Sequence, residues 1–303
     1  MSSKASRISV VSLSAFRLDF LGTLLVLLLL VTATASRSKA EVPEQARAAI
    51  DRIVGTKGAN IADEGVYKIV LPREGATIVQ DYQTLSPNFG MNSWAAFTPG
   101  VRHEAMLTAQ LLLLEDEVDP VLTAVLESGL QVTGLSDSSL FDGPRLKTLD
   151  LTGVGTCRDL ASAFRKALDE IHRVRADLGR GAAKTAVPQA QLDSSIDPSP
   201  LNSILSVQGS LSSGVYRAAL GRRALLFDET IGKEMGVSTW IALSGSNERA
   251  CAQGEFAATA AELQNLLRAL RSRGFKITSI RNHMAGGASS VSFRPFLAAR
   301  PVH

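Results

Sequence analysis

The strongest constraint on what this chain can fold into is that one stretch of it occurs twice. Val118, Val121, Leu122 and Val125 recur 145 residues later as Leu263, Leu266, Leu267 and Leu270. In both places the i, i+3, i+4, i+7 spacing sets four apolar side chains on one face of a helix. The likeness continues beyond that helix, where Gly129, Thr133 and Leu135 return as Gly274, Thr278 and Ile280. Upstream, Gly65-Val66-Tyr67 returns as Gly214-Val215-Tyr216, and Ser93-Trp94-Ala95-Ala96-Phe97 as Thr239-Trp240-Ile241-Ala242-Leu243. The chain has 2 Trp residues, and they hold one place in the two copies. The pattern predicts an α+β fold of two tandem homologous units, each a mostly antiparallel or mixed sheet with helices packed on one side.

The boundaries follow from composition. Residues 41–173 form the first unit. It opens with a helix from Glu41 to Val54 that carries Ala46, Ala49, Ile50 and Ile53 on one face and stops at Gly55. Met106 to Leu114 is almost continuously apolar, as a strand covered on both faces requires. Pro120 stands in the first turn of the repeated helix, where its missing N–H costs least. Gly129 and Gly274 suit the left-handed residue that ends such helices. Asp159 to Arg173 reads as a closing helix with Leu160, Ala163, Phe164, Ala167, Leu168 and Ile171 inward. Residues 174–200, rich in Ala, Gly, Ser, Gln and Pro, read as a flexible linker. Residues 201–303 form the second unit, which lacks the closing helix. Thr259 with Glu262 three residues on has the form of a capping box.

The N-terminus has its own grammar. Lys4, Arg7 and Arg17 precede an apolar run from Phe20 to Val31, and Ala33-Thr34-Ala35 follows as a small-x-small cleavage signal. Residues 1–35 therefore read as a Sec-type signal peptide, with export to the periplasm or outside the cell expected. Membrane contact is expected only through an uncleaved leader. Cys157 and Cys251 are the only thiols and occupy non-equivalent places, so a disulfide framework is excluded. They are unpaired, or form one bridge between copies if the chain is exported. A net charge of +3 without a basic stripe excludes nucleic acid as an expected partner.

Together Gly65-Val66-Tyr67, Pro72-Arg73, the Trp94 segment, Glu115 to Val121 and Gly129 to Thr133 resemble the LppY/LpqO family of exported bacterial proteins, also known as the DUF1259 domain. That resemblance implies secretion but no settled activity. It also directs attention to a Thr-x-Leu-His-Asn-His-Met run after the repeated helix. The second copy reads Thr278-Ser279-Ile280-Arg281-Asn282-His283-Met284, with Arg in place of the first His, and the first copy keeps neither His. The lipidation Cys of some family members is absent.

Two His at i and i+2 on a strand share a face and can hold a metal. Arg281 in one of those places repels a cation, so no metal ligand is assigned. Arg281, Asn282 and His283 instead offer donors suited to a carboxylate or phosphate, and they form the candidate ligand-binding group. His172 is read as ending a helix and His103 as lying in a turn. No Gly-x-Ser-x-Gly elbow and no dinucleotide fingerprint occur. Glu115, Asp116, Glu117 and Asp119 are expected at a helix start on electrostatic grounds alone. The sequence thus predicts a non-enzymatic module for a small anionic ligand or a protein partner. It has no catalytic residue and no cofactor, and its site lies at the junction of the copies. The competing reading is a metal-dependent hydrolase that uses His283.

Overall fold

The structure, a computed structural model, describes residues 39–301 apart from 73–77, 81–82, 86–89, 91, 138–141, 144, 180–193, 247–248, 273–274 and 283–289. Residues 1–35, read as a leader, lie outside the described residues. Among those described, no helix is long and apolar enough to cross a membrane.

The first copy opens with helix α1 (Glu44–Val54), which ends where Gly55 takes φ +81. Strands β1 (Ala59–Ile61), β2 (Val66–Pro72), β3 (Ile78–Gln80), β4 (Gln83–Leu85), β5 (Asn92–Pro99) and β6 (Ala105–Leu114) follow. A 3-10 turn at Glu115–Glu117 leads into α2 (Val118–Glu127). Strands β7 (Gln131–Asp137), β8 (Asp142–Gly143) and β9 (Leu146–Gly155) and helix α3 (Cys157–Gly179) complete the copy. The second copy comprises α4 (Pro198–Leu205), β10 (Ser210–Ser212), β11 (Val215–Gly221), β12 (Ala224–Leu226), β13 (Glu229–Ile231), β14 (Ser238–Gly245), β15 (Arg249–Thr259), α5 (Ala260–Ser272), β16 (Lys276–Asn282) and β17 (Ser290–Pro301).

The sheets carry the proof of duplication. One is ordered β1-β2-β5-β6-β9-β7 and the other β10-β11-β14-β15-β17-β16, the same order with each strand replaced by its counterpart. Every strand pair in both is antiparallel. Because β6 and β7 both run against β9, they are parallel to each other, and α2 is the crossover of a split βαβ unit. α5 does the same for β15 and β16 around β17. Register is kept too: Val70 faces Trp94 and Trp94 faces Gln110, as Ala219 faces Trp240 and Trp240 faces Glu255.

Alternation along the strands sends one face of each sheet outward to helices and the other inward to the second sheet. In the first copy Ile69, Ala95, Phe97, Leu107, Ala109, Leu111, Leu149 and Leu151 pack beneath α1, α2 and α3 through Ile50, Val121, Val125, Leu160, Phe164 and Ile171. In the second, Tyr216, Ala218, Ile241 and Leu243 pack beneath α4, and Phe256 and Ala258 beneath α5. Between the sheets, Leu112 and Leu146 meet Val215, Trp240 and Ala242. Beside them, Val66, Ala96 and Met106 meet Leu226, Ile231, Met235 and Val237. The order of layers is helix, sheet, sheet, helix.

Two sequence expectations change. α3 runs to Gly179 rather than stopping at Arg173, with Val174 buried, and Ile196 is buried ahead of α4, so both ends of the 174–200 segment are structured. The middle of that segment lies outside the described residues. His172 therefore sits inside α3, not at its end. Cys157 is a buried free thiol whose pKa is pushed up to about 11, first by burial and then by Glu104.

Candidate functional site

The two inward faces are unlike the outward ones. They hold Thr108, Gln110, Thr148, Asp150, Thr152, Ser244, Gln253 and Glu255, all buried, in a layer where a purely structural sheet contact would carry Val and Leu. Some of that polarity is satisfied: Gln110 Nε2 donates to Asp150 Oδ1 at 2.8 Å, and Thr108 Oγ1 donates to the Met235 carbonyl of the other copy at 3.0 Å. Among the described residues, Thr148 Oγ1, Ser244 Oγ and Gln253 Oε1 find no partner.

At one end of this layer the sheets part around a cavity of about 410 Å³. Its lining is drawn from both copies in matched positions. Lys68 extends over the Trp94 ring at 4.9 Å from the centroid, and Arg217 over the Trp240 ring at 4.6 Å. In each copy the cation stands two residues before the one directly opposite the Trp, a diagonal cross-strand place that long side chains reach. Gln110 and Glu255 lie on the far side of each Trp, and Asn92 and Ser238 precede them on their strands. Gly90 closes against Trp240, where a Cβ would stand 2.9 Å from the ring.

The symmetry is broken by charge. Glu255 Oε2 accepts from Trp240 Nε1 at 3.3 Å, whereas Gln110 is neutral. Lys68 Nζ lies 3.1 Å from Glu234 Oε2, and Lys233 Nζ 3.3 Å from the other oxygen of that carboxylate. Burial pushes the Glu234 carboxyl upward, but Lys68 and Lys233 outweigh it and hold its pKa below the usual carboxylate value. Its backbone N–H donates to Glu64 Oε2 at 2.9 Å. Three cations and two carboxylates face the cavity, a small positive excess beside two indole rings.

Arg281 and Asn282, singled out from sequence, lie on β16, an outer strand of its sheet, opposite Ser292 and Val291 of β17. His283 lies outside the described residues. The side chains of Arg281 and Asn282 lie outside the described residues as well. The residues that line the cavity were missed, although the signal was present: the two Trp match, and so do the basic residues that follow Tyr67 and Tyr216. What the sequence did not announce is that the sheets face each other. Glu117, one of the four acids expected at the helix start, is fully buried; it accepts from Leu114 N–H at 2.8 Å and from Arg175 Nε. Among the described residues no group of His, Cys, Asp or Glu has a metal-holding arrangement.

The family model described as "Domain of Unknown Function (DUF1259)" matches residues 48–170 and again 199–296. The chain belongs to this family. The two matched segments coincide with the two sheets, so each copy is one DUF1259 unit. No curated protein matches the chain in sequence. Among solved structures, a trimeric bacterial microcompartment shell protein, PduB, is 8% identical with a TM-score of 0.18, covering 77% of this chain and 80% of its own. EtuB from Clostridium kluyveri is 12% identical with a TM-score of 0.20, covering 79% and 82%. Similarity at that level carries no argument about fold or role.

Proposed function

We propose that this DUF1259 protein is a non-enzymatic binding module that takes a small anionic ligand in the cavity between its two copies. The observation that carries the reading is the matched pair of cation-capped indoles, Lys68 on Trp94 and Arg217 on Trp240, converging on one cavity from equivalent strands. A guanidinium and an ammonium supply charge-assisted donors for a carboxylate or phosphate. Indole walls accept an apolar or planar body, and the volume is that of small-ligand sites. The ligand is placed here rather than on Arg281, Asn282 and His283.

Both Trp residues of the chain line the cavity, so tryptophan fluorescence reports on this site. Titration with a panel of small carboxylates and phosphates should give a saturable change for at least one member. The Lys68→Gln/Arg217→Gln variant should weaken it at least tenfold. A panel without response, or a response indifferent to that variant, overturns the proposal. The finer placement with the LppY/LpqO proteins, and export through residues 1–35, belong to the same proposal. They are supported by the basic start, apolar core and Ala33-Thr34-Ala35. N-terminal sequencing of secreted protein beginning at or near Ser36 is the expected result.

A further inference from the structure

The cavity between the copies is walled by matched pairs, and one of those pairs breaks the match in charge. Lys68 answers to Arg217, Asn92 to Ser238 and Trp94 to Trp240. Gln110 stands directly opposite Trp94, and Glu255 directly opposite Trp240. What is a neutral amide in the first copy is therefore a carboxylate in the second, at a place where an amide costs less to bury. Glu255 Oε2 accepts from Trp240 Nε1 at 3.3 Å, and the Arg217 guanidinium lies 4.6 Å from the centroid of the same ring. A cation over the face of one indole and an anion at its N–H edge set opposite charges close together on the cavity wall. A plain carboxylate or phosphate is drawn to the first and repelled by the second. A ligand that carries an ammonium and a carboxylate on one carbon meets both with charge-assisted bonds.

The other half of the cavity is net positive. Glu234 is one carboxylate shared between Lys68 at 3.1 Å and Lys233 at 3.3 Å. Each ammonium has three N–H donors, and the Lys233 side chain is 40% exposed, so this pair of lysines keeps donors and charge beyond what Glu234 takes up. We propose that the ligand is an acidic α-amino acid, an inference that rests on the anionic-ligand reading of this cavity. Its α-carboxylate meets Arg217, its α-ammonium Glu255 and its side-chain carboxylate Lys233 and Lys68, with its methylenes against the indoles. The charges agree: Lys68, Arg217 and Lys233 against Glu234 and Glu255 leave the cavity one positive charge, and an acidic amino acid carries one net negative charge at neutral pH.

Tryptophan fluorescence of the full chain, titrated with L-glutamate, glutarate and L-glutamine, tests this. Glutarate lacks the ammonium, and L-glutamine lacks the second carboxylate. Expected is saturable binding of L-glutamate, at least tenfold tighter than of either. Glu255→Gln, which copies the amide that the first copy already holds beside Trp94, should bring L-glutamate and glutarate to within about threefold of each other. Lys233→Gln should weaken L-glutamate at least fivefold and leave L-glutamine unchanged. Glutarate or L-glutamine binding as tightly as L-glutamate overturns the inference, as does a preference for L-glutamate that survives Glu255→Gln. Equal losses of L-glutamate and L-glutamine in Lys233→Gln overturn the place given to the side-chain carboxylate. Silence towards all three, when another carboxylate or phosphate binds, overturns this inference and leaves the anionic-ligand reading standing. Silence towards every one of them removes that reading and this inference together.

Discussion

At the scale of single residues, the two copies repeat a latch that composition does not reveal. Tyr67 Oη donates to Asp51 Oδ1 at 2.5 Å, and the Gly58 N–H donates to both, each at 3.0 Å. In the second copy Tyr216 Oη donates to Asn202 Oδ1 at 2.9 Å, and the Gly209 N–H donates to that oxygen at 2.8 Å. The tyrosine of each second strand thus pins the first helix and the turn after it. Glycine is needed there for space: a Cβ on Gly58 would stand 2.7 Å from the Tyr67 ring, and one on Gly209 2.4 Å from that of Tyr216. Gly58→Ala and Gly209→Ala should each cost about 1–3 kcal/mol in urea unfolding. Tyr67 also gives a pH signature. Burial first, and then the bond to Asp51, push its pKa up to about 12 from an ordinary value of 10.0, so the fold favours the neutral phenol. That contribution is whole below pH 10 and is lost as pH rises toward 12. Melting temperature should fall across this interval, and more gently in Tyr67→Phe.

At the scale of elements, the stripe that identified the duplication also shows where the copies diverge. Val121 and Val125 of α2 are buried, whereas of the α5 stripe only Leu270 is, and Leu263, Leu266 and Leu267 stay half-buried. The difference is α3, which packs across α2 and has no counterpart over α5 among the described residues. The same carboxylate registers it. Glu117 and Glu262 each reach back to the N–H at the helix start, from Leu114 and Thr259, both at 2.8 Å. Glu117 is then sealed in by Arg175 of α3, while Glu262 remains half exposed and pairs with Arg222. Glu117→Ala should cost about 1–3 kcal/mol, by leaving the half-buried Arg175 and the Leu114 N–H without their acceptor. Glu262→Ala should cost far less, with a loss that shrinks in salt. Periodicity made α2, α5, β6 and the core of α3 legible. It did not extend α3 past Arg173, because its last turns are held by Arg175 on Glu117, a partner 58 positions away that no local pattern identifies. The β12–β13 hairpin was equally silent, since three-residue strands carry too little alternation to read.

At the scale of the whole molecule, duplication was legible and the docking of the copies was not. That two matched Trp exist is a fact of sequence. That they share a cavity depends on contacts such as Thr108 to Met235 and Lys68 to Glu234, which join residues more than a hundred positions apart. The Lys68–Glu234 pair is the one whose strength can be isolated. Both side chains are 19% exposed, shielded enough for the ion pair to outlast screening. A double-mutant cycle with Lys68→Gln and Glu234→Gln should return a coupling of about 0.5–3 kcal/mol at neutral pH. Lys68 also covers Trp94, but that contact is lost on both sides of the cycle and cancels. The pH dependence identifies the pair. With its folded pKa lowered from 4.5, Glu234 contributes stability that is whole above that value and is lost as pH falls through the lower one. The coupling should therefore vanish in acid. A coupling that persists in acid would show that Lys68 holds the second copy through Trp94 and the chain around Glu234, rather than through the carboxylate.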